Sequence, residues 1–250
     1  MVAEILSATA KNALWGIELW LTPPDSPFLV KLIDAKLPLS VQVHPDDEYA
    51  KSKGLPRGKS ECWYITGCDS GAFVYLGLTR AYSLPEFREL LESGQAETAL
   101  RRVSVKPGDF FYIPAGTLHA LGGGIRLAEI QQPSDTTYRV FDWNRAGADG
   151  KPRELHIEDA LACAALSESR FAEPLFTGGE FDFEFCGIRT RGLRLSGDLT
   201  VTPRGVCAHA LVVSGRCEAD GIPLAAGESA LLRRGNTLCG TDAFVIITEF

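Results

Sequence analysis

The 250-residue sequence lacks several features that would each define a class of protein. It has no run of about 20 apolar residues, so no membrane-spanning helix is expected. Its N-terminus has no basic stretch followed by an apolar run, so a signal peptide is not expected either. Lys and Arg (25) are outnumbered by Asp and Glu (32), and the net charge of −7 argues against broad nucleic-acid binding. We therefore expect a cytoplasmic protein without a nucleic-acid or membrane partner.

Cysteine is present, but no Cys-x-x-Cys pair occurs, and the count of seven is odd. The pattern argues against a disulfide framework and against a cysteine zinc finger. It favours buried free thiols in a reducing compartment. A chain of this length can bury roughly 70–75% of the surface that it exposes when unfolded. A bound metal would therefore serve function rather than hold the fold together.

The segment from Gly108 to His119 is the most informative one, with the spacing Gly-x5-Pro-x-Gly-x2-His. The aromatic and β-branched run at 110–113 predicts a strand. Pro114 ends that strand, and Gly116 can take the positive φ that a tight turn needs. His119 then re-enters the sheet facing the interior, where it is a metal-ligand candidate. The spacing resembles the second sequence motif of the cupin superfamily.

Short strands separated by Gly, Pro and Asp turns are expected over most of the chain. The expected strands are 28–33, 39–43, 61–65, 72–76, 108–113 and 125–131. A helix is expected after Ser83, because Ser83 and Glu86 form a capping box with Pro85 in the first turn. An Ala-rich helix is expected at 157–166.

A weaker copy of the Gly108–His119 motif occupies residues 227–238, with Arg233 in the place of Pro114 and Leu238 in the place of His119. We interpret it as an internal duplication in which the second copy has lost its ligand. The predicted fold is mainly β, with two cupin-type jelly-roll β-barrels and a few helices, the second barrel lacking metal ligands. The predicted boundaries are a catalytic, metal-binding barrel at 1–155 with a helical segment near 83–100, a helix and linker at 156–180, and a degenerate cupin-like barrel at 181–250.

Polar residues on two further strands complete a candidate metal site. In Ser40-Val-Gln42-Val-His44 the polar side chains share one strand face, and Lys59 and Glu61 share a face of the next strand. Two histidines, a glutamate and a glutamine amide would bind Zn²⁺ or a similar divalent ion and leave room for water or substrate. The candidate ligands are Gln42, His44, Glu61 and His119. His156 and His209 fall outside this set and are interpreted as surface or packing residues.

A third polar cluster follows at 129–143. Glu129 and Gln131 share a strand face, residues 133–135 form a turn, and Arg139 lies in an aromatic-rich stretch. On its own, Arg139 would be expected to form a salt bridge with Asp142 or Asp135.

Five motifs in order resemble the type I mannose-6-phosphate isomerases of the short bacterial form, a family of the cupin superfamily. They are residues 27–46, 58–63, 114–119 and 129–135, followed by Arg139, within a resemblance that runs from about Trp15 to Asn144. The resemblance implies a zinc-dependent isomerase with one Zn²⁺ per chain that interconverts mannose 6-phosphate and fructose 6-phosphate. It also implies a monomer or homodimer whose partner is a small phosphorylated sugar.

The resemblance also implies roles for individual positions. The family's zinc ligands correspond to Gln42, His44, Glu61 and His119. Its active-site arginine corresponds to Arg139, and polar positions of its catalytic pocket correspond to Lys59, Glu129 and Asp135. Ser40 falls near its phosphate site. Lys31 and Lys36 are further candidates for binding the phosphate.

Moving a proton between C1 and C2 through a cis-enediol needs a base and a group that stabilises the enediolate. Arg139 is always charged and suits the enediolate, whereas the base stays open between Glu129 and Asp135. Lys59 could relay protons or bind phosphate. Two alternatives remain: a sugar-binding or sugar-sensing cupin that keeps its metal without turnover, and an iron-dependent cupin oxygenase, which would favour a second histidine in place of Gln42.

Overall fold

The computed structural model describes residues 2–147 and 150–250. Within these ranges the chain forms 21 strands, three α-helices and one short 3-10 helix, which confirms the predicted mainly β class. Across the same ranges, every helix is too short or too polar to cross a membrane.

The elements of the first part of the chain are β1 (Glu4–Leu6), β2 (Thr9–Ala13), β3 (Gly16–Trp20), β4 (Leu29–Ala35), β5 (Val41–Val43), α1 (Asp47–Ser52), β6 (Glu61–Cys68), β7 (Phe73–Leu78), α2 (Leu84–Glu92), the 3-10 helix Ala96–Ala99, β8 (Leu100–Ser104), β9 (Phe110–Ile113), β10 (His119–Leu121), β11 (Ile125–Gln131) and β12 (Tyr138–Phe141). The later elements are α3 (Ile157–Cys163), β13 (Phe181–Phe185), β14 (Ile188–Arg194), β15 (Gly197–Thr200), β16 (Ala208–Ser214), β17 (Arg216–Ala219), β18 (Ile222–Ala225), β19 (Ser229–Leu232), β20 (Thr237–Gly240) and β21 (Phe244–Glu249).

Two sheets pack face to face in what we call the first unit. One has the strand order β2-β3-β4-β11-β6-β9 and the other β12-β5-β10-β7-β8. Side chains of both sheets, including Ile33, Trp63, Phe111 and Leu121, form the core between them.

Helices cover the outer face of the five-stranded sheet. Phe87 and Leu91 of α2 and Leu161 of α3 pack in one cluster with residues of that sheet. The predicted capping box is present at the start of α2, where Ser83 and Glu86 each satisfy the other's backbone.

The second unit is another pair of sheets, with the orders β1-β19-β16-β21-β14-β13 and β15-β20-β17-β18. Its core contains Val212, Leu224, Leu238 and Ile247 from both sheets. Strand β1 enters this unit from the far end of the chain, with Ile5 opposite Ala230. The domain boundaries at 155 and 180 stay a prediction.

The two six-stranded sheets turn their other faces toward each other. Val30 and Phe110 of the first unit pack with Phe181 and Ile246 of the second. The rings of Phe110 and Phe181 are stacked with centroids 4.2 Å apart. The molecule is therefore a stack of four sheets with helices on one outer face.

The two copies of the glycine motif have matching backbones. Gly108 and Gly227 both have φ +90°, and Gly116 and Gly235 have φ +84° and +88°. Each pair is separated by 119 residues, as are the first residues of β9 and β19. A positive φ favours glycine, so the two copies are alike in backbone conformation as well as in sequence. This supports the interpretation as an internal duplication.

Candidate functional site

The strand order of the first unit brings the candidate metal ligands together from both of its sheets. Gln42 lies on β5 opposite His119 on the neighbouring β10. His44 directly follows β5, and Glu61 begins β6 in the facing sheet. His44, Glu61 and His119 are all buried, at 1%, 0% and 0% relative exposure.

The ligand atoms converge around Glu61. His44 Nε2 lies 3.5 Å from Glu61 Oε2, and His119 Nε2 lies 3.4 Å from Glu61 Oε1. One ligand atom from each of these three residues lies within 4.8 Å of the others. The structure therefore confirms a His-Glu-His cluster that can hold a metal ion.

A hydrogen bond on the far side of each ring fixes which nitrogen of the two histidines carries the proton. Nδ1 of His44 lies 2.9 Å from the carbonyl of Thr136, and Nδ1 of His119 lies 2.8 Å from that of Thr117. A carbonyl can only accept, so each Nδ1–H donates and each Nε2 keeps its lone pair. Burial, with the Lys59 cation nearby, lowers the pKa of His44 to about 4, and burial also lowers the pKa of His119. Neutral imidazoles are the form that binds metal.

Glu61 supplies the negative charge of the cluster. Among the described residues, none donates a hydrogen bond of good geometry to either of its oxygens, although Lys59 Nζ lies 2.9 Å from Oε2. Burial alone would raise the pKa of Glu61, but Lys59 and the two histidines hold it well below its usual range. A buried carboxylate whose oxygens face two neutral imidazoles fits a divalent cation.

Gln42 as the fourth ligand stays a prediction. Its Nε2 lies 3.3 Å from His119 Nε2. Turning the Gln42 amide by 180° would put its oxygen where the nitrogen now lies, next to His119 Nε2. Which amide atom is the oxygen is assigned from the hydrogen-bond network, not from the atom positions.

A cavity of about 350 Å³ opens beside the cluster. Its wall includes seven of the charged and polar residues near the cluster, namely Glu18, Lys31, Ser40, Lys59, Glu129, Arg139 and Arg153. Asp135 lies at its exposed edge. Apolar residues such as Trp15 and Leu39 complete the wall. The polar lining suits a hydrophilic ligand of sugar size.

Glu129 is held on both oxygens at one end of this cavity. Lys31 Nζ lies 3.0 Å from its Oε1, and Trp63 Nε1 donates to its Oε2 at 3.1 Å. Lys31 also lies 3.8 Å from Glu18, whose carboxylate accepts from Trp20 Nε1 at 2.7 Å. Lys31 is thus enclosed by two carboxylates, which offset its charge.

Arg139 also lines the cavity and lies on β12, where it pairs with Gln42 in register. Its Nε donates to Ser40 Oγ at 3.2 Å, and its Nη1 donates to the carbonyl of Glu154 at 2.9 Å. Asp142, an alternative partner expected from the sequence, is instead bound by Arg145 and Arg153 at 2.6 and 2.7 Å. Among the residues that the structure describes, no carboxylate forms an ion pair with the Arg139 guanidinium, which lines the cavity.

Lys59 links the cluster to the cavity. Its Nζ lies 3.1 Å from His44 Nε2 as well as beside Glu61. Burial by itself would lower the pKa of Lys59, but the charges of Glu61 and Glu129 outweigh it and raise the pKa. Lys59 is therefore a buried cation at neutral pH.

One predicted residue lies elsewhere. Lys36 does not line the cavity, because it follows the end of β4 on the outward side, where its Nζ lies 2.8 Å from Asp34 and its side chain is 65% exposed. Three residues that the sequence argument missed are Glu18, Trp63 and Arg153. A signal existed for Trp63, which stands two residues after Glu61 and so shares its strand face.

Apolar side chains occupy the corresponding positions of the second unit. Leu199 pairs with Leu238 in the second unit, and these two residues stand where Gln42 and His119 pair in the first unit. Ala208 stands in the place of Glu61. Ala208 pairs with Leu232, just as Glu61 pairs with Ile113. Val201 stands two residues after Leu199, as His44 does after Gln42. These residues pack in or against the core of the second unit. The pairing supports the prediction that the second copy has lost its ligands.

No protein-family model matches the chain. Mannose-6-phosphate isomerase ManA of Bacillus subtilis is 50% identical over 136 residues, and mannose-6-phosphate isomerase of Streptococcus mutans is 45% identical over 148 residues. The matches cover 54% and 59% of this chain, but only 43% and 46% of those relatives, so less than half of each relative's length is matched.

A solved structure extends the likeness to the whole chain. The crystal structure of the mannose 6-phosphate isomerase from Bacillus subtilis matches with a TM-score of 0.82 and 26% identity, covering 100% of both chains. The family resemblance read from the motifs is confirmed: the chain is homologous to mannose-6-phosphate isomerases over more than half of its length and has their fold.

Proposed function

We propose that this chain is a zinc-dependent aldose–ketose isomerase that interconverts D-mannose 6-phosphate and D-fructose 6-phosphate by proton transfer through a cis-enediol. The observation that carries the proposal is that one polar cavity adjoins a His-Glu-His cluster, a fixed buried carboxylate and an arginine. The names of the relatives support the same reaction. Since less than half of each relative is matched, the activity rests on the site as well as on the similarity.

Gln42, His44, Glu61 and His119 would hold one Zn²⁺ per chain. Two neutral imidazoles, one carboxylate and one amide oxygen are a donor set that zinc accepts with a position left open. When bound, the ion supplies a Lewis acid that polarises and orients a sugar oxygen.

Glu129 is the better candidate for the base that moves the proton between C1 and C2. It is 5% exposed, and Lys31 and Trp63 fix its two oxygens. Asp135 is exposed at the cavity edge, where water competes for it. Proton transfer by a positioned group of this kind contributes typically about 10²–10⁴-fold to a rate. Lys59, a buried cation between the cluster and Glu129, would hold or deliver the proton of a sugar hydroxyl.

Arg139 would stabilise the negative charge of the enediolate, since a guanidinium keeps its charge at any working pH. We propose that the phosphate binds to Ser40 and Arg153, because both line the cavity and Ser40 accepts a hydrogen bond from Arg139. Lys31 is a weaker candidate for the phosphate, since Glu18 and Glu129 already offset its charge. Lys36 lies outside the cavity and is omitted from this proposal.

The test is a coupled assay of mannose 6-phosphate turnover on the zinc-loaded protein, after chelation, and after zinc is added back. We expect activity that is lost and restored in step with the metal content. The matched variant Glu129→Gln keeps the shape and removes the charge, and we expect its kcat to fall by about 10²-fold or more.

Mannose without phosphate serves as the substrate control and should be turned over poorly. A folded, zinc-loaded protein that binds mannose 6-phosphate in calorimetry without converting it would instead establish the alternative, a sugar-binding cupin.

A further inference from the structure

Trp63 connects two parts of the site without being a metal ligand or a titratable group. It lies on β6, 1% exposed, on the same strand face as Glu61. The edge of one ring meets the face of the other where Trp63 packs on His119, with centroids 5.4 Å apart and planes at 77°. On its other side its Nε1 donates to Glu129 Oε2.

The hydrogen bonds to Glu129 come from the strands on either side of it. In the sheet Glu129 stands opposite Lys31 of β4 and opposite Trp63 of β6. One neighbour holds Oε1 and the other holds Oε2. A carboxylate held on a single oxygen can still rotate about its last bond, whereas one held on both sides has a fixed plane.

We propose that Trp63 is a positioning residue for the isomerisation, which fixes the plane of the Glu129 carboxylate relative to the sugar carbons. The inference rests on the proposed function, because it assigns a task to the carboxylate proposed there as the base. Lys31 places a positive charge next to one oxygen. Trp63 fixes the orientation of the other oxygen, since an indole N–H is a donor with a rigid geometry. The packing on His119 ties that direction to the metal cluster.

Trp20 of β3 provides a matched control, because it does not line this cavity although its partner Glu18 does. Its indole N–H also donates to a carboxylate, that of Glu18, at 2.7 Å. Glu18 has no part in the proposed proton transfer. Trp20→Phe therefore makes the same chemical change as Trp63→Phe, with the same loss of one donor and retention of an aromatic ring.

Steady-state kinetics on the two zinc-loaded variants test the inference. For Trp63→Phe we expect kcat to fall about 10- to 100-fold, the range for losing a hydrogen bond to a charged group. KM should stay within about twofold, and zinc content should be unchanged, since no ligand is replaced and an aromatic ring is kept beside His119. For Trp20→Phe we expect kcat within about threefold of wild type. A Trp63→Phe enzyme with wild-type kcat, or an equal loss in Trp20→Phe, would overturn the inference.

A second readout separates positioning from general structural damage. In D₂O, a base that holds its proton in line returns it to the sugar, whereas a misdirected base exchanges it with solvent first. We expect a larger deuterium content in the product of Trp63→Phe than in that of wild type or Trp20→Phe, counted per turnover. Equal deuterium content in all three would contradict a positioning role.

A third measurement does not need Trp63→Phe to fold or the protein to be an isomerase. The indole N–H resonance of Trp63 is compared between wild type and Glu129→Gln, in which the charged acceptor becomes a neutral one. We expect that resonance to move while the indole resonance of Trp20 does not. An unmoved Trp63 resonance rules out the contact. A wild-type protein without isomerase activity rules out the proposed function and leaves this measurement informative.

Discussion

Two imidazoles, a carboxylate and an amide project into the space between the sheets of the first unit, and the second unit has leucine, valine and alanine at the equivalent positions. The pairing partners that define these positions match in the two units. The same arrangement of paired strands thus accommodates an apolar core in one unit and a polar site in the other. The fold does not depend on the polar groups, because the second unit closes without them.

The difference also shows where the first unit accepts a cost in stability. Burying Glu61, Lys59 and two histidines removes their hydration, and a buried ion pair recovers that loss only in part. The second unit replaces these groups with side chains that stabilise by burial alone. We expect substitutions to separate into two kinds, those that remove function in the first unit and those that remove stability in the second.

The largest effect is expected from His119→Ala. It removes one strong ligand from the cluster, so zinc content should fall and activity should drop by more than about 1,000-fold, beyond the range for losing one preorganised donor. The fold should persist, because the first-unit core does not need the ligand. Metal analysis, circular dichroism and the coupled assay measure the three quantities. Full zinc occupancy in this variant would contradict the ligand assignment.

Leu238→Ala is the matched substitution at the equivalent position of the second unit. Leu238 is fully buried, so the free energy of unfolding should fall by about 2–5 kcal/mol while zinc content and kcat of the folded protein stay unchanged. Denaturant unfolding and metal analysis give the comparison. If Leu238→Ala lost zinc, the two units would be coupled more tightly than the geometry indicates.

Arg139→Ala should have the next largest effect. The guanidinium lines the cavity, and its hydrogen bonds go to Ser40 and Glu154 rather than to the His-Glu-His cluster, so the metal content should not change. Loss of a preorganised charge typically costs about 10²–10³ in kcat. Kinetics paired with metal analysis of the same sample measure both effects. A kcat near wild type would remove Arg139 from the mechanism.

The smallest effect is expected from His209 of the second unit, which is buried where no metal site is predicted. Burial lowers its pKa to about 4, against an unfolded value near 6.5. Between these two pH values the unfolded chain binds the proton more readily than the folded chain. The contribution of His209 to the free energy of unfolding is therefore fully present above about pH 6.5 and is lost as the pH falls toward 4. The decline amounts to about 2–3 kcal/mol between pH 7.5 and 4.5, at 1.36 kcal/mol per pKa unit.

Urea unfolding of the metal-free wild type and His209→Leu at both pH values measures this decline. The acid sensitivity of the variant should be smaller by that amount, with no difference in slope above pH 7. Equal pH dependence in both proteins would show that His209 does not carry the effect.

Local patterns predicted much of the first unit. The polar and apolar alternation at 40–44, the aromatic run at 110–113 and the capping box at Ser83 each depend on a few neighbouring residues, and each appears where the pattern indicates. The metal cluster could be predicted because each of its three residues sits in a motif with its own spacing.

Features that depend on the pairing of distant segments could not be predicted from local patterns. Glu18 reaches the cavity only because the hairpin of β2 and β3 adds to β4, so no local signal marks it. The bond from Trp63 to Glu129 joins residues 66 positions apart. Arg153 approaches Asp142 through a loop whose path the residue pattern does not specify. Helix α1 was not predicted, although Asp46 is a recognisable N-cap that accepts from the backbone of Tyr49.

The pairing of β1 with β19 has a consequence for the order in which the molecule is assembled. Residues 4–6 leave the ribosome long before residues 229–231, with which they form a ladder. The first unit can fold while β1 is still unpaired, because β19 has not yet been synthesised. Contacts between residues so far apart in the sequence form slowly. A fragment covering 156–250 would contain β19 with an uncovered edge, open to pairing with another chain. Completion of the last sheet thus depends on a segment that is synthesised long before the rest of that sheet.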